Sequence, residues 1–62
     1  NANFRGANLE DINFESTNCK NASFYGADCE NASFYGADLE NTNFRDSNLK
    51  NTIFRNTIFK DL

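Results

Sequence analysis

Ala22-Ser23-Phe24-Tyr25-Gly26-Ala27-Asp28-Cys29-Glu30-Asn31-Ala32-Ser33-Phe34-Tyr35-Gly36-Ala37-Asp38-Leu39-Glu40-Asn41 is the stretch that decides the fold. It divides into five-residue units, each reading small, polar, large apolar, charged or Tyr, then a turn residue. The same order extends in both directions. Every fifth residue from Phe4 to Phe59 is Phe, Leu or Cys, and all seven Phe and both Cys fall in this register. Such a period marks an array in which no unit buries its apolar side alone.

The other positions are as regular. Two residues before each centre stands a small, β-branched or hydroxylated residue, from Ala2, Ala7 and Ile12 to Thr52 and Thr57, which reads as a second inward row. One residue before the centre is Asn, Asp or Ser until Ile53 and Ile58 replace it. One residue after the centre is charged or Tyr, and two after comes a turn residue such as Gly6, Asp11, Ser16 or Asn21.

A period of five matches neither the 3.6 of a helix nor the 2.0 of a strand, so neither element can bury these centres together. Gly, Asn and Asp recurring at one position tolerate positive φ or hydrogen-bond their own turn. The chain should therefore bend once per unit and coil, with stacked coils pairing at the ~4.8 Å spacing of adjacent strands. The 12 Asn, all at polar or turn positions, suit side-chain ladders along the stack.

The units Ala2-Asn3-Phe4-Arg5-Gly6, Ala7-Asn8-Leu9-Glu10-Asp11, Ala22-Ser23-Phe24-Tyr25-Gly26 and Ala37-Asp38-Leu39-Glu40-Asn41 resemble the A-(D/N)-(L/F)-x-x repeat of the pentapeptide repeat proteins. The resemblance covers nearly the whole chain. It implies an all-β fold, a right-handed quadrilateral β-helix in which four units make one coil, hence about three coils for 62 residues. Departures are Ile12 in the small row, Cys19 and Cys29 at centres, and the two late Ile residues.

If four units make a coil, residues twenty apart stack. Phe4, Phe24 and Phe44 then line one wall and Phe14, Phe34 and Phe54 the opposite one, while Leu9, Cys29, Leu49 and Cys19, Leu39, Phe59 line the others. Phe59 breaks the alternation of large and smaller walls, so the last coil should be wider or less regular. Lys20, Glu40 and Lys60 would form an alternating column, Arg5, Tyr25 and Arg45 would set a ring between two cations, and Glu15, Tyr35 and Arg55 would follow on the opposite face. The cysteines are expected as buried free thiols.

The 62 residues are read as one domain, 1–62, and as a segment of a longer repeat array or protein. No apolar run approaches the ~18 residues of a membrane span, and the expected compartment is the cytoplasm. Net charge is −3, with an acidic portion over residues 1–40 passing into a mildly basic one over 41–62.

No enzyme constellation is present: His is absent, which removes Ser-His and Cys-His pairs, and no phosphate-binding Gly motif occurs. Two Cys without His make no metal ligand set, and stacked carboxylates such as Glu10 and Glu30 would lack a cleft. Catalytic residues, metals and cofactors are therefore not expected. Asn21-Ala22-Ser23 and Asn31-Ala32-Ser33 satisfy the glycosylation sequon, but the repeat generates them automatically.

The favoured function is a non-enzymatic structural and protein-interaction module, a rigid rod presenting side-chain ladders to a protein partner. The resemblance brings in an alternative, DNA mimicry directed at gyrase, as in the quinolone-resistance members and the mycobacterial gyrase inhibitor. Three coils would span only about 15 Å, and the basic end would repel a DNA-binding groove. Direct nucleic-acid binding is not expected. Ice binding by a Thr array, by analogy with other β-solenoids, is opposed by the register, which turns Thr17, Thr42, Thr52 and Thr57 inward.

Ile53 and Ile58 should point outward from adjacent faces of the terminal coil, near Leu62. Contiguous apolar surface of this kind marks contact with a cap, another domain or a second copy. The main docking surface is accordingly expected at the C-terminal end, for a protein partner or adjoining domain, or for a homo-oligomer, with Tyr25 and Tyr35 as weaker candidates on the flanks.

Overall fold

In the computed structural model, which describes residues 2–58, the chain turns a corner in every unit. From Phe4 to Leu49, each centre's carbonyl accepts the N–H three residues on, as from Ala7 to Phe4 at 3.1 Å and from Ala27 to Phe24 at 3.0 Å. The third residue of each turn is left-handed: the eleven turn positions from Gly6 to Asn56 have φ between 56° and 70°. A type II turn requires positive φ there. Gly, Asn or Asp, which tolerate it at least cost, occupy every one of these positions except Ser16.

Four corners return the chain above itself. Polar residues twenty apart pair in parallel, from Asn3 with Ser23 and Asn8 with Asp28 to Ser33 with Ile53 and Asp38 with Ile58. The bonds repeat unit by unit. Around Phe24, its N–H donates to the Asn43 carbonyl at 2.7 Å, that of Gly26 donates to Arg45 at 2.9 Å, and that of Asn43 returns to Ala22 at 3.0 Å. Each pairing is one residue long, because the next corner intervenes, so the described residues form a β-helix solenoid without a continuous strand.

This register lines up the core. Phe4, Phe24 and Phe44 stack at 5.0 and 4.9 Å, and Phe14 and Phe34 at 4.9 Å, with ring planes within 13° of parallel. Between walls the rings meet edge to face, at 5.4 to 5.6 Å and 74° to 88°. The coil rise dictates the first spacing, and the ring quadrupole favours the second geometry. Phe34 and Phe54 open to 5.5 Å, so one wall of the last coil is looser, as expected; Phe59 lies outside the described residues.

The small row is buried where coils lie on both sides, at Ala22, Ala27, Ala32, Ala37 and Thr42. Inward Thr hydroxyls donate to carbonyls: Thr42 to Cys19 and Thr52 to Cys29, both at 2.9 Å. No described buried side-chain polar atom lacks a partner. Two expectations need correction. Ile12 is 38% exposed and Leu49 36%, since they belong to the first and last described coils, which have a neighbouring coil on one side only. No helix among the described residues is long and apolar enough to cross a membrane.

Burial differs sharply between the middle coil and the first, which makes the core testable. Phe34 is fully buried whereas Phe4 is only partly so. Phe34→Ala should cost about 3–5 kcal/mol, within reach of unfolding a domain of this size, and Phe4→Ala distinctly less. Urea titrations followed by circular dichroism read the difference; equal losses would mean that the middle coil does not hold the core.

Candidate protein-interaction surface

Because the centres point inward, the residues after them form outward columns. Arg5 sets its guanidinium 5.3 Å from the centre of the Tyr25 ring. Arg45 makes no such contact with Tyr25 among the described residues, so the expected two-cation clamp is one-sided. Tyr35 is held differently, its hydroxyl accepting from Asn56 Nδ2 at 2.9 Å. Lys20 stands 3.8 Å from Glu40 and 3.9 Å from Asp38, the first step of its expected column; Lys60 lies outside the described residues. These are solvent-screened contacts worth at most about 1 kcal/mol each.

Glu10 and Glu30 do stack, and Asp28 joins them: their carboxylate oxygens lie within 4.8 Å of one another. Asn48 Nδ2 donates to Asp28 Oδ1 at 3.2 Å and reaches Glu30 Oε1 at 3.5 Å. Among the described residues, this is the one group whose donor set could hold a cation. Nothing else at the cluster points to a ligand.

Cys19 and Cys29 are buried free thiols. Cys19 Sγ lies 3.2 Å from Thr17 Oγ1. Burial, with the neighbouring Asp28 charge adding to it, pushes the Cys29 thiol above its ordinary value.

The polar position before each centre has a role that reading Asn as a ladder residue missed. In all ten units from Asn3 to Asn48 its side-chain oxygen accepts the N–H two residues on, at 2.8 to 3.2 Å for Asn and Asp and 3.4 Å for Ser. These are Asx and ST turns, and they commit the side-chain oxygen to the local backbone, which leaves an Asn Nδ2 to donate along the stack, as Asn48 does to Asp28. The signal was present in the Asn/Asp/Ser restriction itself.

Ile53 breaks this rule. It supplies no acceptor, and the Arg55 N–H donates to nothing among the described residues. Ile53 is 44% exposed and Ile58 51%, on adjacent faces as expected. Tyr25 and Tyr35 are exposed as well. Columns twenty apart place Tyr35 beneath Arg55, on the same wall as Ile53 and one coil below it, whereas Tyr25 lies on the opposite wall with Phe24. Tyr35 and Ile53 thus share a wall, Ile58 stands on the next one and Tyr25 on the far side; Leu62 lies outside the described residues.

A solenoid of five-residue units, with an inward Phe, Leu or Cys centre and a left-handed fifth residue, defines a repeat protein of the pentapeptide class. The sequence matches the pattern of Pentapeptide repeats, in 8 copies, over residues 1–28 and 22–61, and the chain belongs to that family. Among solved structures it is similar to the pentapeptide repeat protein Rfr23 from the cyanobacterium Cyanothece 51142, with 31% identity and a TM-score of 0.82. The similarity covers 94% of this chain and 44% of that one, so the chain spans less than half of Rfr23's length. A search of curated proteins finds no match.

Two outcomes follow from this geometry. Ile53→Asn restores an acceptor for the Arg55 N–H and should raise stability by about 0.5–1.5 kcal/mol, seen as a higher urea midpoint; a lower one would mean that Ile53 packs against the rod. The Cys29 thiol stays protonated in the folded state at pH values where the unfolded chain has released the proton. Stability is therefore level at neutral pH and falls as pH climbs above the ordinary thiol value of about 8.5. Urea midpoints from pH 7 upward should show that decline, and Cys29→Ala should flatten it.

Proposed function

We propose that the chain is a non-enzymatic structural and protein-interaction module, a right-handed quadrilateral β-helix of about three coils that presents side-chain columns to a protein partner. The partner docks at the C-terminal end, over Ile53 and Ile58, with Tyr35 extending the surface along the rod and Tyr25 a separate flank. One observation carries this reading: in the two units where the polar residue is lost, a large apolar side chain stands exposed in its place, and at Ile53 a local backbone hydrogen bond is given up as well. An arrangement that breaks a local rule with no gain inside the rod points to a gain outside it.

Mimicry of DNA toward gyrase is the competing reading. Against it stand the cations Arg45, Lys50 and Arg55, on a coil with Asp46 as the only acid between residues 41 and 58. A gyrase supercoiling assay separates the two, since inhibition by the chain would favour mimicry. The docking reading itself is tested by replacing Ile53 and Ile58 together with Asn, which earlier units already carry. The variant should keep its circular dichroism and lose assembly or partner binding by sedimentation; unchanged assembly would remove the basis for this surface.

A further inference from the structure

The cations of the chain divide by coil. Arg5 lies over Tyr25, and Lys20 faces Asp38 and Glu40. In the third coil, Arg45, Lys50 and Arg55 make no ion pair with any described residue, and all are exposed. Lys50, Arg55 and the two Ile come from three consecutive units, so three neighbouring faces bring cations and exposed apolar groups together.

Arg55 lies in the unit of Ile53 and one unit before Ile58. Its N–H occupies the position from which the Arg45 N–H donates to Asn43 Oδ1 at 3.0 Å and the Lys50 N–H to Asn48 Oδ1 at 3.1 Å. With Ile53 in place of Asn, that donor has no side chain over it. One residue therefore offers a backbone N–H and a guanidinium, both without acceptors among the described residues, between two exposed Ile side chains. A carboxylate satisfies both donors, and hydrogen bonds to a charged acceptor are the strong ones. The flanking Ile residues call for apolar side chains next to that carboxylate.

We infer that Ile53, Arg55 and Ile58 take an acidic, apolar segment of a partner protein, one carboxylate of which is received by the N–H and guanidinium of Arg55. This rests on the docking surface proposed above and names the chemistry of its occupant. A free carboxylate would leave both Ile residues uncovered. A second copy meeting this surface through a two-fold axis would set Lys50 and Arg55 against their own equivalents, a like-charge contact that such an interface avoids.

The test uses the full chain and three labelled peptides that alternate Leu with Glu, Gln or Lys, followed by fluorescence anisotropy. The Leu/Glu peptide should bind about tenfold tighter than the Leu/Gln peptide, a preference that weakens with salt. Arg55→Gln should abolish the preference while leaving the weaker apolar binding. Ile53→Asn, which caps the N–H and removes the apolar group, should lower binding of every peptide. Equal binding of the Glu and Gln peptides, with Ile53→Asn still weakening both, would overturn the carboxylate receptor and leave the docking surface standing. Binding insensitive to Ile53→Asn, or none at all, would overturn both. Self-association of the chain that Ile53→Asn removes would make a second copy the occupant and overturn the inference.

Discussion

A corner at every fifth residue, made by a backbone held at positive φ, is the constraint on which the rest of the structure depends. Each corner needs a residue that accepts the left-handed region, and from Phe4 to Leu49 each closes with a hydrogen bond from the next unit to the carbonyl of the apolar centre. Four corners bring the chain back above its starting point, and the vertical backbone bonds then lock residues twenty apart into columns. No side chain chooses its neighbour independently after that. A Phe lands on a Phe because the chain has risen by one coil, and the edge-to-face contacts between walls follow from the same repeat.

The polar residue before the centre supports that corner from outside. Its side-chain oxygen takes an N–H that the coil-to-coil pairing leaves unused, so the turn is held by the vertical bonds, by its own carbonyl and by an Asx or ST turn. This is why Asn, Asp and Ser recur there, and why Ile53 stands apart. The fold tolerates the substitution, since the vertical bond of Ile53 to Ala32 remains at 3.0 Å. What changes is the surface, where a saturated polar position becomes an apolar one beside an open donor.

Regularity also explains how little of the chain is free to carry function. The centres and the small row fill the interior, the fifth residue is committed to the turn, and the polar position to its local bond. Only the residue after each centre varies without structural penalty, and it carries most of the charge and both Tyr residues. Variation there sorts by column. Glu10 and Glu30 gather on one side, next to Asp28 of the polar row, while Arg5 with Tyr25 and Lys20 with Glu40 compensate locally. Departures from the repeat outside that position, such as Ile53 and Ile58, are for this reason the more informative ones.

The sequence by itself determined the period, the inward and outward rows, the turn positions and the Phe walls, because each depends on residue type at a fixed spacing and local backbone preference. Residues such as Gly26, Asn31 and Phe34 announce their roles without any neighbour. Tertiary structure alone decided what happens between coils and at their ends. That Asn13 serves its own backbone, that Tyr35 is held by Asn56 while Tyr25 takes a cation on one side, and that Ile12 and Leu49 are partly uncovered all depend on geometry set by the stack. The open Arg55 N–H belongs with these: a missing acceptor becomes visible only when ten preceding units show where the acceptor should be.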